Sequence, residues 1–437
     1  MRSTRNFWVK RFAHVFFVAA CVPGIVLAVP NPAPEAIEAR AINPKEAKAQ
    51  LSRGLEQLTK GDFAAAEKFF NESIRLDSTQ VEVRLLLAEI HLRQGRLDDA
   101  EALVRKAMAI KPNAPNILVA LGNVLLLKKD SVQAEEMYRK ALAINKDHVP
   151  AHLGLGELYL KFLNKPQEAI TAYGRAVEIN PKLPSARLAL GSAYAATGQI
   201  DKAIAEFQVA AKLAPTDPQA PHAIGRLQVG QKKLDQAVSS FSAALSANAF
   251  YMPALIDRAD VLVELGRNQE AAADYASAVA RQGDNAQLWL KLGLANDRLQ
   301  RKDEAIKAYQ KAVSINPGLS LAYNNMAWLV MDEKDRFDQA LEWATKATSL
   351  APTIPQFHDT LGWIYRARGE LDLAQKSLET ATQLTPAQAD IFYHLGVVLQ
   401  EQGKKKEAET AFKRALQIDK DFADAADAGR RLGSLAP

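Results

Sequence analysis

Cysteine is almost missing from this chain: one residue in 437, Cys21. A disulfide framework and a thiolate metal site both need more. The core therefore has to be held by packing alone. Histidine is also sparse. His14, His91, His148, His152, His222, His358 and His394 are scattered, and no cysteine or paired carboxylate completes a metal site around them. His148 and His152 have i, i+4 spacing, but Pro150 stands between them, so they are not expected to share one regular helix face. The glycines form no phosphate-cradling loop, and no nucleophile elbow is present. No catalytic residues, metal or cofactor are expected.

An excess of either charge is missing too. The formal charge is +5, but Arg2, Arg5, Lys10 and Arg11 all precede residue 28 in a stretch without an acid. Setting those four aside leaves 51 bases against 50 acids. A nucleic-acid-binding domain shows a domain-wide basic excess, so no nucleic-acid partner is expected.

Those four bases open a segment that reads as an address. Residues 1–28 are basic and then apolar, as in an export signal or N-terminal anchor. Pro23-Gly24 suits cleavage after Ala28. Val18-Ala19-Ala20-Cys21 has the form of a lipobox, which would make Cys21 a lipidation site. An uncleaved anchor is the third route, although about 17 apolar residues are marginal for a span. Residues 29–43 hold Pro30, Pro32 and Pro34 and read as a proline-rich spacer. The expected location is periplasmic, or membrane-anchored facing the periplasm, with membrane contact only through the N-terminus.

The body is a repeat. Alanines stand at Ala66, Ala100, Ala134, Ala169, Ala203, Ala237, Ala271, Ala305, Ala340, Ala374 and Ala408. Their spacing is 34 residues except for two steps of 35. Twelve residues upstream of most of them is Gly or Ala, as at Gly54, Ala88, Gly122 and Gly396; Gly156 and Ala327 fill that slot in the two longer repeats. Seven residues downstream is Ser73 and then, in every later repeat, Ala. Small residues at fixed spacing let paired helices approach closely. The first two columns are expected to pack the helices of one repeat, and the third to pack a repeat on its successor. A ring or large aliphatic four residues past the central Ala, such as Tyr138, Phe241 or Tyr309, fills the seam. Prolines such as Pro112 and Pro317 end the second helices. Gly61, Gly95, Gly198, Gly266, Gly369 and Gly403 mark the turns within pairs. Asp98-Asp99 and Glu135-Glu136 are placed at second-helix starts, where acids favour the helix dipole.

This pattern resembles tetratricopeptide-repeat proteins over residues 44–420. The resemblance implies an all-α chain, a right-handed solenoid of about eleven helix-turn-helix repeats, with residues 421–437 as a cap continuing helically from Asp421. It also implies a groove lined by the first helix of each repeat. Glu89, Arg93, Asn123, Glu157 and Lys161 fall at groove positions early in the chain, and Arg226, Asp260, Glu264, Arg298, Asp332 and Glu401 later. Within the last repeats, Asn324, Trp328, Asp359, Trp363, Arg366 and Tyr393 are expected to line a peptide-binding patch, because exposed aromatics beside hydrogen-bonding side chains form interaction hot spots. The family's carboxylate clamp is not matched: Glu89 and Glu157 flank Asn123, and Leu85, Val119 and Leu153 occupy its lysine positions.

The phrases Asn325-Met326-Ala327-Trp328, Asp359-Thr360-Leu361-Gly362-Trp363 and Tyr393-His394-Leu395-Gly396 are similar to the tail of repeat lipoproteins associated with bacterial exopolysaccharide and exosortase systems. The expected role is a non-catalytic scaffold that binds an envelope protein or peptide partner. The alternatives are a polysaccharide-binding module, using Trp328, Trp363 and Tyr393, or a subunit regulating a synthase.

Overall fold

The computed structural model describes residues 43–435, and every regular element among them is helical. The expectations for residues 1–42, including Cys21 and the leader, lie outside the described residues. Asn43, assigned to the spacer from sequence, caps the first helix. Its side-chain oxygen accepts from the Glu46 N–H at 3.1 Å, satisfying a donor that helix geometry leaves open.

The chain divides into two compact units, one ending at Ala249 and the other starting at Phe250. The described part of the first holds six helix pairs. These are Pro44–Thr59 with Phe63–Leu76, Val81–Arg93 with Leu97–Ile110, Pro115–Leu127 with Ser131–Ile144, Val149–Glu157 with Pro166–Ile179, Pro184–Ala196 with Ile200–Leu213, and Gln219–Gly230 with Leu234–Ala247. The second unit holds five: Met252–Glu264 with Asn268–Arg281, Ala286–Arg298 with Lys302–Ile315, Ser320–Val330 with Phe337–Leu350, Pro355–Ala367 with Leu371–Leu384, and Ala389–Glu401 with Lys405–Ile418. A last helix, Ala425–Leu435, follows. It begins later than the sequence suggests, because the Asp419 side chain accepts from the Asp421 N–H at 2.9 Å and holds that stretch in a turn.

The small-residue columns have a direct mechanical meaning. A Cβ added at Gly225 would stand 2.6 Å from Phe241 Cε1, and one at Gly293 would stand 2.4 Å from Tyr309 Cε1. Each second-helix ring therefore lies against first-helix backbone. The alanines of the other two columns, such as Ala237 and Ala244, are fully buried. The seam also joins successive repeats: a Cβ at Gly154, in the fourth repeat, would meet Tyr138 of the third at 2.5 Å.

The turn glycines have φ between 73° and 79°, the left-handed region that disfavours a Cβ. In other repeats the same slot holds Lys129, Asn164, Lys232 and Gln300, with φ of 66°, 51°, 61° and 57°. Replacing Gln300 by Gly should relieve that strain and raise stability by up to about 1 kcal/mol, read as a later urea midpoint.

The two 35-residue repeats absorb their extra residue in different ways. In the fourth, Leu158–Phe162 forms a π turn, with the Leu163 N–H donating to the Leu158 carbonyl at 3.0 Å. In the ninth, a short 3-10 turn at Lys334–Arg336 precedes the second helix. One local expectation needs correction. Glu135 and Glu136 lie beyond the first turn of their helix and pair with Arg139 and Lys140 at i+4, so the ion pair, not the dipole, places them. His148 is the extended N-cap of Val149–Glu157, with φ −78° and ψ 94°, so it and His152 do not share one regular helix face, although the His152 N–H donates to the His148 carbonyl at 3.3 Å. Pro150 falls at the helix start, where its missing N–H breaks nothing. Burial, together with the nearby His152, holds His148 below its ordinary pKa.

Candidate binding face

The predicted patch lies on three successive first helices of the second unit: Ser320–Val330, Pro355–Ala367 and Ala389–Glu401. Side chains tie the last two of these together. Gln356 Nε2 donates to Gln388 Oε1 at 3.0 Å. Asp359 Oδ1 pairs with His394 Nδ1 at 2.7 Å, and both side chains are largely buried. Arg366 grips Glu401 through Nε at 3.0 Å and Nη2 at 2.5 Å. Its guanidinium lies 4.4 Å from the Trp363 ring, while His394 stacks on that indole at 4.2 Å.

Tyr393 is only 7% exposed. Its hydroxyl donates to Asp427 of the last helix at 2.8 Å, and its ring packs near Phe412 and Phe422. The expectation that Trp363 and Tyr393 are open rings is therefore corrected. Trp363 is half-buried and already stacked, and Tyr393 belongs to the seam with the last helix. Asp359, Trp363, Arg366 and Tyr393 form one network whose first task is to hold the final repeats together. His394 is its hub. Sequence reading passed over it as one more scattered histidine. Its position directly after Tyr393, aligned with the columns, carries the signal that it faces the preceding repeat.

Trp328 differs. It is 44% exposed, and Leu321, on the same helix, is 42% exposed. Asn324 sits between them in sequence. Its Nδ2 reaches Asn325 Oδ1 at a long 3.4 Å, and its Oδ1 is buried without a hydrogen-bond partner. A buried carbonyl oxygen without a donor is costly to leave so. Beside it, Asn325 Nδ2 donates to the Tyr309 hydroxyl at 3.2 Å, and Tyr309 hydrogen-bonds Asp297. Burial pushes the Asp297 carboxyl above its usual range.

The other groove positions are mostly occupied internally. Arg93 meets Glu89 at 2.5 Å, and Lys161 meets Glu157 at 2.5 Å. Asn123 accepts from the Tyr138 hydroxyl at 2.7 Å. Lys291 holds both oxygens of Asp260 at 2.5 and 2.6 Å. Among the described residues no group of three or more His, Cys, Asp or Glu is placed to hold a metal. No helix among them is long and apolar enough to cross a membrane.

Asp427 offers a test of the last seam. The Arg431 guanidinium and the Tyr393 hydroxyl hold its carboxyl down to about 2. Because folding lowers this pKa, the contribution is complete above the ordinary carboxylate value of about 4 and is lost as pH falls towards 2. Amide exchange in Ala425–Leu435 should accelerate across that window in the native chain. An Asp427→Asn variant should exchange faster already at pH 6 and change less on acidification.

Models of the tetratricopeptide repeat match residues 57–124, 115–148, 163–227, 256–320 and 389–422, and a TPR-repeat model matches 362–403. With the helix pairs and columns above, the chain belongs to the tetratricopeptide-repeat family. It is similar to human "Protein O-mannosyl-transferase TMTC3", 23% identical over 74% of this chain and 30% of that protein. It is similar to "BBSome complex member BBS4" of Bos taurus, 27% identical over 65% of this chain and 55% of that one. A shorter stretch, 23% of this chain and 6% of the other, is 38% identical to "Cellulose synthase operon protein C" of Xanthomonas axonopodis pv. citri. The chain thus spans less than two thirds of these relatives' lengths. Tetratricopeptide repeats are in general non-catalytic scaffolds that bind protein partners, and at that level the chain is a protein-interaction scaffold.

Proposed function

We infer that this chain is a non-catalytic scaffold of the bacterial cell envelope, holding a protein partner in a machine for polysaccharide export, secretion or outer-membrane assembly. The docking point is the face around Asn324 and Trp328. The observation that carries this is the contrast along one face. Asp359, Trp363, Arg366 and Tyr393 are spent on internal contacts, whereas Trp328 and Leu321 are open and Asn324 keeps a buried oxygen unmet. An exposed indole and an exposed leucine seven residues apart on one helix face suit a peptide that brings an apolar side chain. The basic-then-apolar stretch at residues 1–28 supports an envelope location, with Cys21 as the candidate lipidation point. The stretch similar to a cellulose synthase operon protein supports a polysaccharide setting.

A glycan platform is less favoured. It needs several open rings in a row, and of Trp328, Trp363 and Tyr393 only Trp328 is open. The deciding experiment is crosslinking of the full chain in its native envelope, with mass spectrometry of partners and of the processed N-terminus. Envelope partners with a cleaved or lipidated N-terminus are expected. Cytoplasmic partners with an intact Met1 would overturn the reading.

A further inference from the structure

The fourth repeat opens on two histidines. The carbonyl of His148, the N-cap of Val149–Glu157, accepts from the Ala151 N–H at 3.0 Å and the His152 N–H at 3.3 Å, so the first bonds of the helix hang on this residue. Its ring nitrogen Nε2 is buried and has no hydrogen-bond partner. His152 is half-buried, and its Nε2 lies 2.9 Å from the Lys146 carbonyl. The helix that starts here also makes the seam with the third repeat. Ala151 is fully buried, and a Cβ at Gly154 would meet Tyr138 at 2.5 Å.

The surroundings offer a cation on His148 nothing to meet. The start of a helix is itself partly positive. Asp147, next in sequence, is held by Arg175 at 2.6 Å, and Arg175 also holds Glu178. Glu168, the other acid of Pro166–Ile179, lies two turns before Arg175. On Ser131–Ile144, Glu135 pairs with Arg139 and Glu136 with Lys140. On Pro184–Ala196, Arg187 pairs with Glu206, and Pro115–Leu127 carries no charged residue. Glu157, at the far end of the same helix, pairs with Lys161. Burial acts most strongly on His148, and the nearby His152 acts in the same direction.

We propose that the junction of the third and fourth repeats is an acid-sensitive latch: a proton on His148 opens the start of Val149–Glu157 and loosens the seam with Tyr138. The charged ring has to turn out to water, and the capping carbonyl moves with it, releasing the Ala151 and His152 N–H groups. Folding here favours the neutral ring, so the folded chain binds fewer protons than the open one. The order that His148 supports is therefore complete above the ordinary histidine value of about 6.5 and is lost as pH falls below it.

The test is amide exchange of the full chain from pH 7.5 to 5, corrected for the pH dependence of exchange itself. Protection in Val149–Glu157 should fall by up to about tenfold per pH unit below about 6.5, the limit for one proton, while the other first helices change less. His148→Gln should flatten that profile. His152→Gln removes the neighbouring charge, so the loss should shrink but remain. A loss spread equally over all repeats, or one unchanged in His148→Gln, would overturn the latch. If His148→Gln is already open at pH 7.5, the native chain decides: with carbon-13-labelled histidine, the His148 resonance should titrate below 6.5, and titration at or above that value would also overturn the proposal.

Discussion

Truncating Phe241 to alanine is expected to destabilise the first unit by about 3–5 kcal/mol, the range for emptying a buried aromatic site. The ring is fully buried, and it lies where a Cβ on Gly225 would sit at 2.6 Å. The reverse change tests the same contact from the other side. Gly225→Ala pushes a methyl into the ring and should cost about 1–3 kcal/mol by overpacking. The two losses should not add. Once Phe241 is alanine, the space it leaves accepts the new methyl, so the double variant should be more stable than the sum of singles by at least about 1 kcal/mol. Urea unfolding followed by circular dichroism measures all three. Additive losses would mean that the ring and the glycine do not share one seam.

That seam is why the fold was legible in sequence. A 34-residue period with small residues in three columns leaves the paired-helix repeat as its one physical reading, and the helix pairs fall where the columns place them. The positive-φ glycines follow from the same spacing. What the period does not encode is how a repeat departs from it. Nothing in the local sequence distinguishes the π turn at Leu158–Phe162 from the 3-10 turn at Lys334–Arg336, because both solve the same one-residue excess. The patch was legible only in part, for a related reason. Position in the repeat says which side chains share a face, but whether they are free depends on pairs across repeats. Asp359 with His394 is 35 residues apart, Arg366 with Glu401 is 35, and Tyr393 with Asp427 is 34. A residue and its partner one period away look alike in sequence whether they touch or not. Trp363 and Trp328 occupy equivalent slots, yet only Trp363 has a histidine stacked against it.

This difference makes the two tryptophans behave oppositely under substitution. Trp328→Ala should leave helix content and the unfolding midpoint nearly unchanged, since 44% of the side chain is already in water. It should nonetheless weaken capture of the partner by about 2 kcal/mol or more, some thirtyfold, as loss of an aromatic hot spot does. Asp359→Ala should do the reverse. It strips the buried His394 ring of its carboxylate and leaves a polar group without a partner, at a cost of about 1–3 kcal/mol, so the final repeats should loosen and unfold earlier. Any loss of partner binding in that variant should then follow the loss of order at Ala389–Glu401, and should be recovered at lower temperature where those helices re-form. Pull-down yield and amide exchange, measured on both variants side by side, separate a contact residue from a residue that holds the contact face in place. If Trp328→Ala binds the partner as the native chain does, the open indole is a surface accident and the docking face lies elsewhere on the repeats.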